Sequence, residues 1–200
     1  MMNLDFLGKG LLRELAEEFA DLIYDDGLVS IDELEAGVRL EPAVATRHRE
    51  LGRRMLQDAK PAHARKSFTK ALELEPGDPL SRLGLACALD AIGLTPMAIK
   101  ELKFCLNARP EYCPAIVSMG YCLQKSGRAH EAIRAYEQAL RLNPKLLRTR
   151  EKLAPITLSA CDKFPEINGQ PGPFASLKVM TSSKKSVAPI EGIVSPMPGK

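Results

Sequence analysis

The chain has 200 residues, 45% hydrophobic and 26% charged, a composition that fits a soluble globular protein of one domain with some chain to spare. Aromatic residues make up 5% and Trp is absent, which leaves no broad stacking platform for bases, and no apolar run approaches the roughly 18 residues of a membrane span. The net charge of +3 conceals an acidic head on a basic body: residues 1–42 hold three Lys/Arg against eleven acids, and residues 43–76 hold eight against four.

In chain order, the first expected element is a helix over about 4–24. Leu4, Leu7, Leu11, Leu15, Phe19, Leu22 and Ile23 recur there at helical spacing. Glu14, Glu17 and Glu18 come too early for the apolar core of a signal peptide, so export by that route is not expected. Asp26–Glu33 has the outline of the second half of a calcium loop, but the first half would place Leu22 and Tyr24 where oxygen ligands are needed. A simpler account is that Ser30 and Glu33 form a capping box that opens a helix to about Leu40.

From here the sequence repeats. Proline stands at positions 42, 76, 110 and 144, at a constant 34-residue interval. The units between these prolines align without gaps. Leu51-Gly52 matches Leu85-Ala86 and Met119-Gly120; Met55 matches Leu89 and Leu123; Ala64 matches Ala98 and Ala132; Phe68 matches Leu102 and Tyr136; Ala71 matches Cys105 and Ala139. The pattern predicts helix pairs at 45–58 and 61–74, 79–92 and 95–108, 113–126 and 129–142. Pro61 and Pro114 suit helix starts, Thr95 suits an N-cap before Pro96, and Gly93 and Gly127 suit left-handed ends. After Pro144 a basic helix is expected over Lys145–Ala154, ended or kinked at Pro155, within a capping segment that runs to residue 161. Residues 162–200 hold six Pro and four Gly in 39 positions, a composition that predicts a disordered tail.

These columns resemble the tetratricopeptide repeat over residues 43–144, with His48, Arg82 and Ile116 where that family often has Trp. The resemblance implies an all-α fold, an antiparallel helix-pair solenoid. Its expected parts are an acidic N-terminal cap or degenerate repeat (1–42), repeats at 43–76, 77–110 and 111–144, a capping helix at 145–161, and the tail. Leu34, Gly37 and Pro42, one repeat period before Phe68, Ala71 and Pro76, mark the degenerate unit. If the first helix stacks on the first repeat as a cap, its acids come within reach of the Arg47–Arg54 cluster.

The family's geometry also implies a groove lined by the first helix of each unit. Its expected partner-binding residues are Arg49, Arg53, Leu80, Leu83, Cys87, Val117, Tyr121, Gln124 and Lys125. Some relatives clamp a chaperone's C-terminal carboxylate there. Arg49 and Arg53 fit the first two clamp positions, but Gly84, Pro114 and Ser118 replace the others.

No Gly-rich phosphate loop or catalytic triad is present, so no enzyme activity and no cofactor are expected. His48, His63 and His130 fall in separate helical settings, and no metal site is expected. Five cysteines without a C-x-x-C pair suggest neither a disulfide framework nor a zinc ribbon and fit a reducing, cytoplasmic setting. Cys87 and Cys122 are expected to be partly exposed on first helices, and Cys105 to fill a small-residue column. The reading is an adaptor or scaffold that binds a peptide or helix of a protein partner. The alternative is a secretion-type chaperone for a hydrophobic client, with an apolar floor of Leu80, Leu83, Val117 and Tyr121. A calcium-responsive regulator and a nucleic-acid binder rank below these, the latter opposed by the acidic head and the few aromatics. No membrane partner is expected, and the sequence leaves the oligomeric state open.

Overall fold

Helices form where start signals and apolar spacing coincide, as the computed structural model of the chain shows. The structure describes residues 10–19, 29–163, 166–167 and 170–171. Among these residues it contains α1 (Leu11–Glu18), α2 (Ile31–Leu40), α3 (Ala45–Gln57), α4 (Pro61–Leu74), α5 (Pro79–Ala91), α6 (Thr95–Ala108), α7 (Cys113–Lys125), α8 (Ala129–Leu142) and α9 (Leu147–Lys163). Two short strands, β1 (Glu166–Ile167) and β2 (Gln170–Pro171), follow. The six helices α3–α8 begin and end within one residue of the periodicity's prediction. α1 is shorter than expected: Phe19 leaves helical geometry, and residues 4–9 and 20–24 lie outside the described residues.

Contacts divide the chain into two compact units, residues 1–156 and 157–200. In the second, β1 pairs antiparallel with β2, Glu166 opposite Pro171. α9 runs two residues past the expected start of the tail, and most of residues 162–200 lie outside the described residues.

In the first unit, three-residue turns fold α3 back on α4, α5 on α6 and α7 on α8, and α4 meets α5 as α6 meets α7. The small columns are what let the backbones approach. Ala64, Ala71, Ala98, Ala132 and Ala139 are fully buried, and Cys105 nearly so. Large residues fill the remaining space. Phe68 wedges between two first helices: a Cβ on Gly52 would come 3.1 Å from its ring and one on Gly84 2.4 Å. Tyr136 is seated the same way against Gly120. α2 packs on α3 through its half-buried Ile31, Leu34 and Val38, opened by the expected capping box, in which Ser30 Oγ accepts from Glu33 N–H at 3.2 Å.

The column where Trp is missing has its own job. His48 Nε2 lies 2.9 Å from the carbonyl of Pro42, and Arg82 donates to the carbonyl of Pro76 at 2.7 Å. Arg150, one repeat period past Ile116, donates to the carbonyl of Pro144 in the same way. Each ties a first helix to the proline that ends the preceding unit; Ile116 is instead buried. α9 therefore follows the repeat as the first helix of a fourth, incomplete unit. It also runs through Pro155, where the sequence suggested an end or a kink.

One local expectation needs correction, and another holds. Thr95 is the first residue of α6 and does not cap it; its hydroxyl donates to buried Asp90 at 2.8 Å. The left-handed turn position is Gly93 (φ 84) and Gly127 (φ 75) in two units, but the equivalent residue of the first unit is Ala59 (φ 55). A Cβ in that conformation costs about 1–2 kcal/mol, part of which glycine returns as greater entropy in the unfolded chain. Ala59→Gly is expected to stabilise the fold by about 0.5–1 kcal/mol, read as a higher urea midpoint with an unchanged slope.

Candidate functional site

The side chains that face a common groove come from α3, α5 and α7, the first helices of the three repeats. Arg49 and Arg53 of α3 and Leu80, Leu83 and Cys87 of α5 surround a cavity of about 260 Å³ closed at its base by Phe68. Arg49 is half-buried and donates to Asp78 Oδ2 at 3.0 Å. That carboxylate also caps α5, and its hydrogen bonds with Ser81 and the Arg49 guanidinium hold it below the usual range against the opposing effect of burial.

The groove already holds a helix. α1 packs against α5 and α7, and its apolar residues Leu11, Leu12, Leu15 and Ala16 join the core of the repeats. Leu15 is completely buried, and Leu12 forms one wall of the cavity. Every apolar residue from 11 to 16 thus faces the groove, while Arg13 and Glu14 keep partial exposure. Leu12 of α1 lies beside Arg49 and Arg53 in the cavity, but Glu14 and Glu18 do not pair with the Arg47–Arg54 cluster as expected. Arg47 pairs with Glu41, Arg49 with Asp78 and Arg54 with Asp58, while Glu14 and Glu18 reach α9; the side chain of Glu17, and Asp21, lie outside the described residues.

Three polar contacts set the register of α1. The N–H of Leu11 donates to Asp90 Oδ2 at 3.3 Å. Glu14 forms an ion pair with Lys152 of α9, and Glu18 Oε1 accepts from the N–H of Thr149 at the start of the same helix. A carboxylate at a helix N-terminus meets unpaired N–H groups and the positive end of the helix dipole. Lys152 lies 5.5 Å from the ring centroid of Tyr121, and burial pulls its ammonium down to about 8, so a facing acid favours its charged form.

Asp90 joins this register to the repeats. Its side chain is fully buried and accepts from Leu11 N–H, from Thr95 Oγ1, and from Lys125 Nζ at 2.7 Å. Leu83, Cys87 and Val117, expected to line an open groove, are buried, and Tyr121 is half-buried. Gln124 is exposed and accepts from Tyr136 Oη at 3.1 Å.

Asp90, Thr149 and Lys152 are absent from the residues expected to bind. Lys152 was within reach of the sequence, since it stands one repeat period after Ser118 and two after Gly84, in a column that faces the groove. Ending the repeat at Pro144 hid it.

An isolated helix of eight residues is unstable in water, so α1 exists as a helix only while docked.

Cys87 and Cys122 are buried, against the expectation of partial exposure, while Cys105 fills its small column as expected. Cys161 lies in α9 beyond the described side chains. Burial raises the thiol of Cys87, and it pushes that of Cys122 up to about 12. The unfolded chain ionises its thiols near 8.5, well before the folded one. Stability is therefore expected to be fully present below about pH 8.5 and to fall as pH rises towards 12. Urea midpoints at pH 7 and pH 10 check this. Alkylation at pH 8, mapped by mass spectrometry, should spare Cys87 and Cys122 until the protein unfolds.

Among the described residues no group of three or more His, Cys, Asp or Glu side chains could hold a metal ion. No helix among them is long and apolar enough to cross a membrane. The Asp26–Leu28 part of the calcium-like turn lies outside the described residues.

The tetratricopeptide-repeat profile matches residues 114–146, most of the third unit and two residues beyond its closing proline. This chain carries tetratricopeptide repeats. It is 32% identical over 78 residues to small glutamine-rich tetratricopeptide repeat-containing protein 2 of Mycosarcoma maydis, a match that covers 39% of this chain and 22% of that relative. The chain thus spans only a minor part of such a relative. Among solved tetratricopeptide structures, the first such domain of Spaghetti (RPAP3), bound to the HSP90 peptide SRMEEVD, is 20% identical with a TM-score of 0.57, and the match covers 58% of this chain and 93% of the other. The type III secretion chaperone SycD of Yersinia enterocolitica, in complex with a peptide of the translocator YopD, is 21% identical with a TM-score of 0.55, covering 57% and 93%. These likenesses establish the fold.

Proposed function

We propose that the chain is a non-catalytic interaction module, an adaptor or scaffold that binds a peptide or helix of a protein partner in the groove of its first helices. The observation that carries this reading is the groove's present occupant. An apolar helix face from a separate stretch of chain fits there in defined register, so the surface has the shape and chemistry to take such a ligand. Solenoids offer extended grooves of this kind without a catalytic pocket. Similar folds are seen with peptides of HSP90 and of a translocator. The carboxylate clamp is incomplete in this chain, and Arg49 is engaged by Asp78, so a chaperone tail held by that clamp is not the proposed ligand.

A second reading, a secretion-type chaperone for a hydrophobic client, draws on the likeness to SycD and on the apolar floor. The same experiment addresses both. A photo-crosslinking amino acid at Leu80, half-buried beside the cavity, is expected to trap partner protein in cells. One at Lys103, exposed on α6, should not. Trapping from Lys103 alone would contradict the groove reading, and the trapped protein's identity separates adaptor from chaperone.

A further inference from the structure

α1 fills the groove incompletely. The cavity of about 260 Å³ beside Leu12 remains open, walled by Leu80, Leu83 and Arg49. At the other end of α1 the fit is polar and specific, with Glu14 on Lys152 and Glu18 on the N–H of Thr149. We infer that α1 is a tethered stand-in for the groove's external ligand, and that this ligand is an acidic amphipathic helix of a partner protein that displaces α1. In register with α1, the ligand places apolar residues at the positions of Leu11, Leu12, Leu15 and Ala16 and acids at those of Glu14 and Glu18.

This inference rests on the proposal that the groove is the binding surface. Its further content is the ligand's class and the competition. A tethered segment acts at an effective concentration in the millimolar range, so an external helix must make contacts that α1 lacks. The cavity beside Leu12 supplies them to a ligand with a larger side chain there. The basic partner at the far end selects for acid: Lys152 is partly buried, and a ligand without a carboxylate would leave it covered and unpaired.

The test measures binding of a fluorescein-labelled synthetic peptide of residues 10–19 to the full chain and to its Leu15→Asp variant. An Asp at the buried Leu15 position releases α1, so the variant is expected to bind the peptide at least ten times more tightly than the unaltered chain. A peptide with Phe at the Leu12 position should bind more tightly still, and one with Lys at the Glu14 position at least ten times more weakly. If Leu15→Asp lowers the melting temperature of the repeats, Glu14→Lys, which sets like charges against each other at Lys152, takes its place. Equal binding by chain and variant overturns the competition and leaves the groove reading intact. Failure of both to bind any of the peptides overturns the ligand class and the groove reading together. A dimer of the unaltered chain by light scattering, absent in the variant, makes a second copy the occupant and overturns the partner helix.

Discussion

Tyr136→Ala is expected to destabilise the protein by about 3–5 kcal/mol, a large share of the roughly 5–15 kcal/mol that holds a domain folded. Tyr136 is completely buried between α7 and α8, its ring so close to Gly120 that a Cβ there would lie 2.6 Å away. Truncation removes a large aromatic volume at a site framed by helix backbone, which collapses poorly around a void. The hydroxyl matters less, since its partner Gln124 is exposed and can turn to water. Tyr136→Phe is therefore expected to cost under about 1 kcal/mol. Urea denaturation followed by circular dichroism measures both. Equal midpoints for the two variants would contradict the wedge role given to the ring.

Asp90→Ala is expected to cost about 2–3 kcal/mol, because it orphans several donors at once. Thr95 and the Leu11 N–H lose a charged acceptor in a buried setting, and Lys125 loses its counter-ion. The side chain of Lys125 is 41% exposed and its ammonium can turn to solvent, which keeps the cost below that of a fully buried broken pair. Because one of these donors belongs to α1, the variant should also loosen the groove's occupant. Asp90→Asn keeps an acceptor and should fall between the alanine variant and the original chain. A midpoint shift in Asp90→Ala smaller than that of an exposed control such as Glu73→Ala would show that the carboxylate does not join these elements.

The constant repeat period made the repeats legible, because each column reports one physical constraint three times. Ala64, Ala98 and Ala132 sit where two helices touch, and only a small side chain fits in each case. α1 escaped this logic. Leu11, Leu15 and Phe19 show that an apolar face exists, but spacing within one helix does not say which surface covers it. Nearby opposite charges suggested the Arg47–Arg54 cluster, whereas the partner of Glu14 is Lys152, beyond the last complete repeat. Those arginines had acids of their own, Glu41 and Asp58 among them. Cys87 was misplaced for the same reason: a groove drawn as open turns out to be covered.

Burial of the expected groove residues follows from that cover, so the account turns on whether α1 is docked in solution. Amide hydrogen exchange over residues 14–19 of the full chain answers this directly. The N–H groups of Glu14 and Phe19 close helical bonds to Gly10 and Leu15, and a helix this short protects nothing unless it is held against other structure. Exchange of these amides at least ten times slower than in an unstructured chain is the predicted result, lost in the Leu15→Asp variant while α7 and α8 stay protected. Exchange at the unstructured rate in the unaltered chain would mean an empty groove, and would contradict the account.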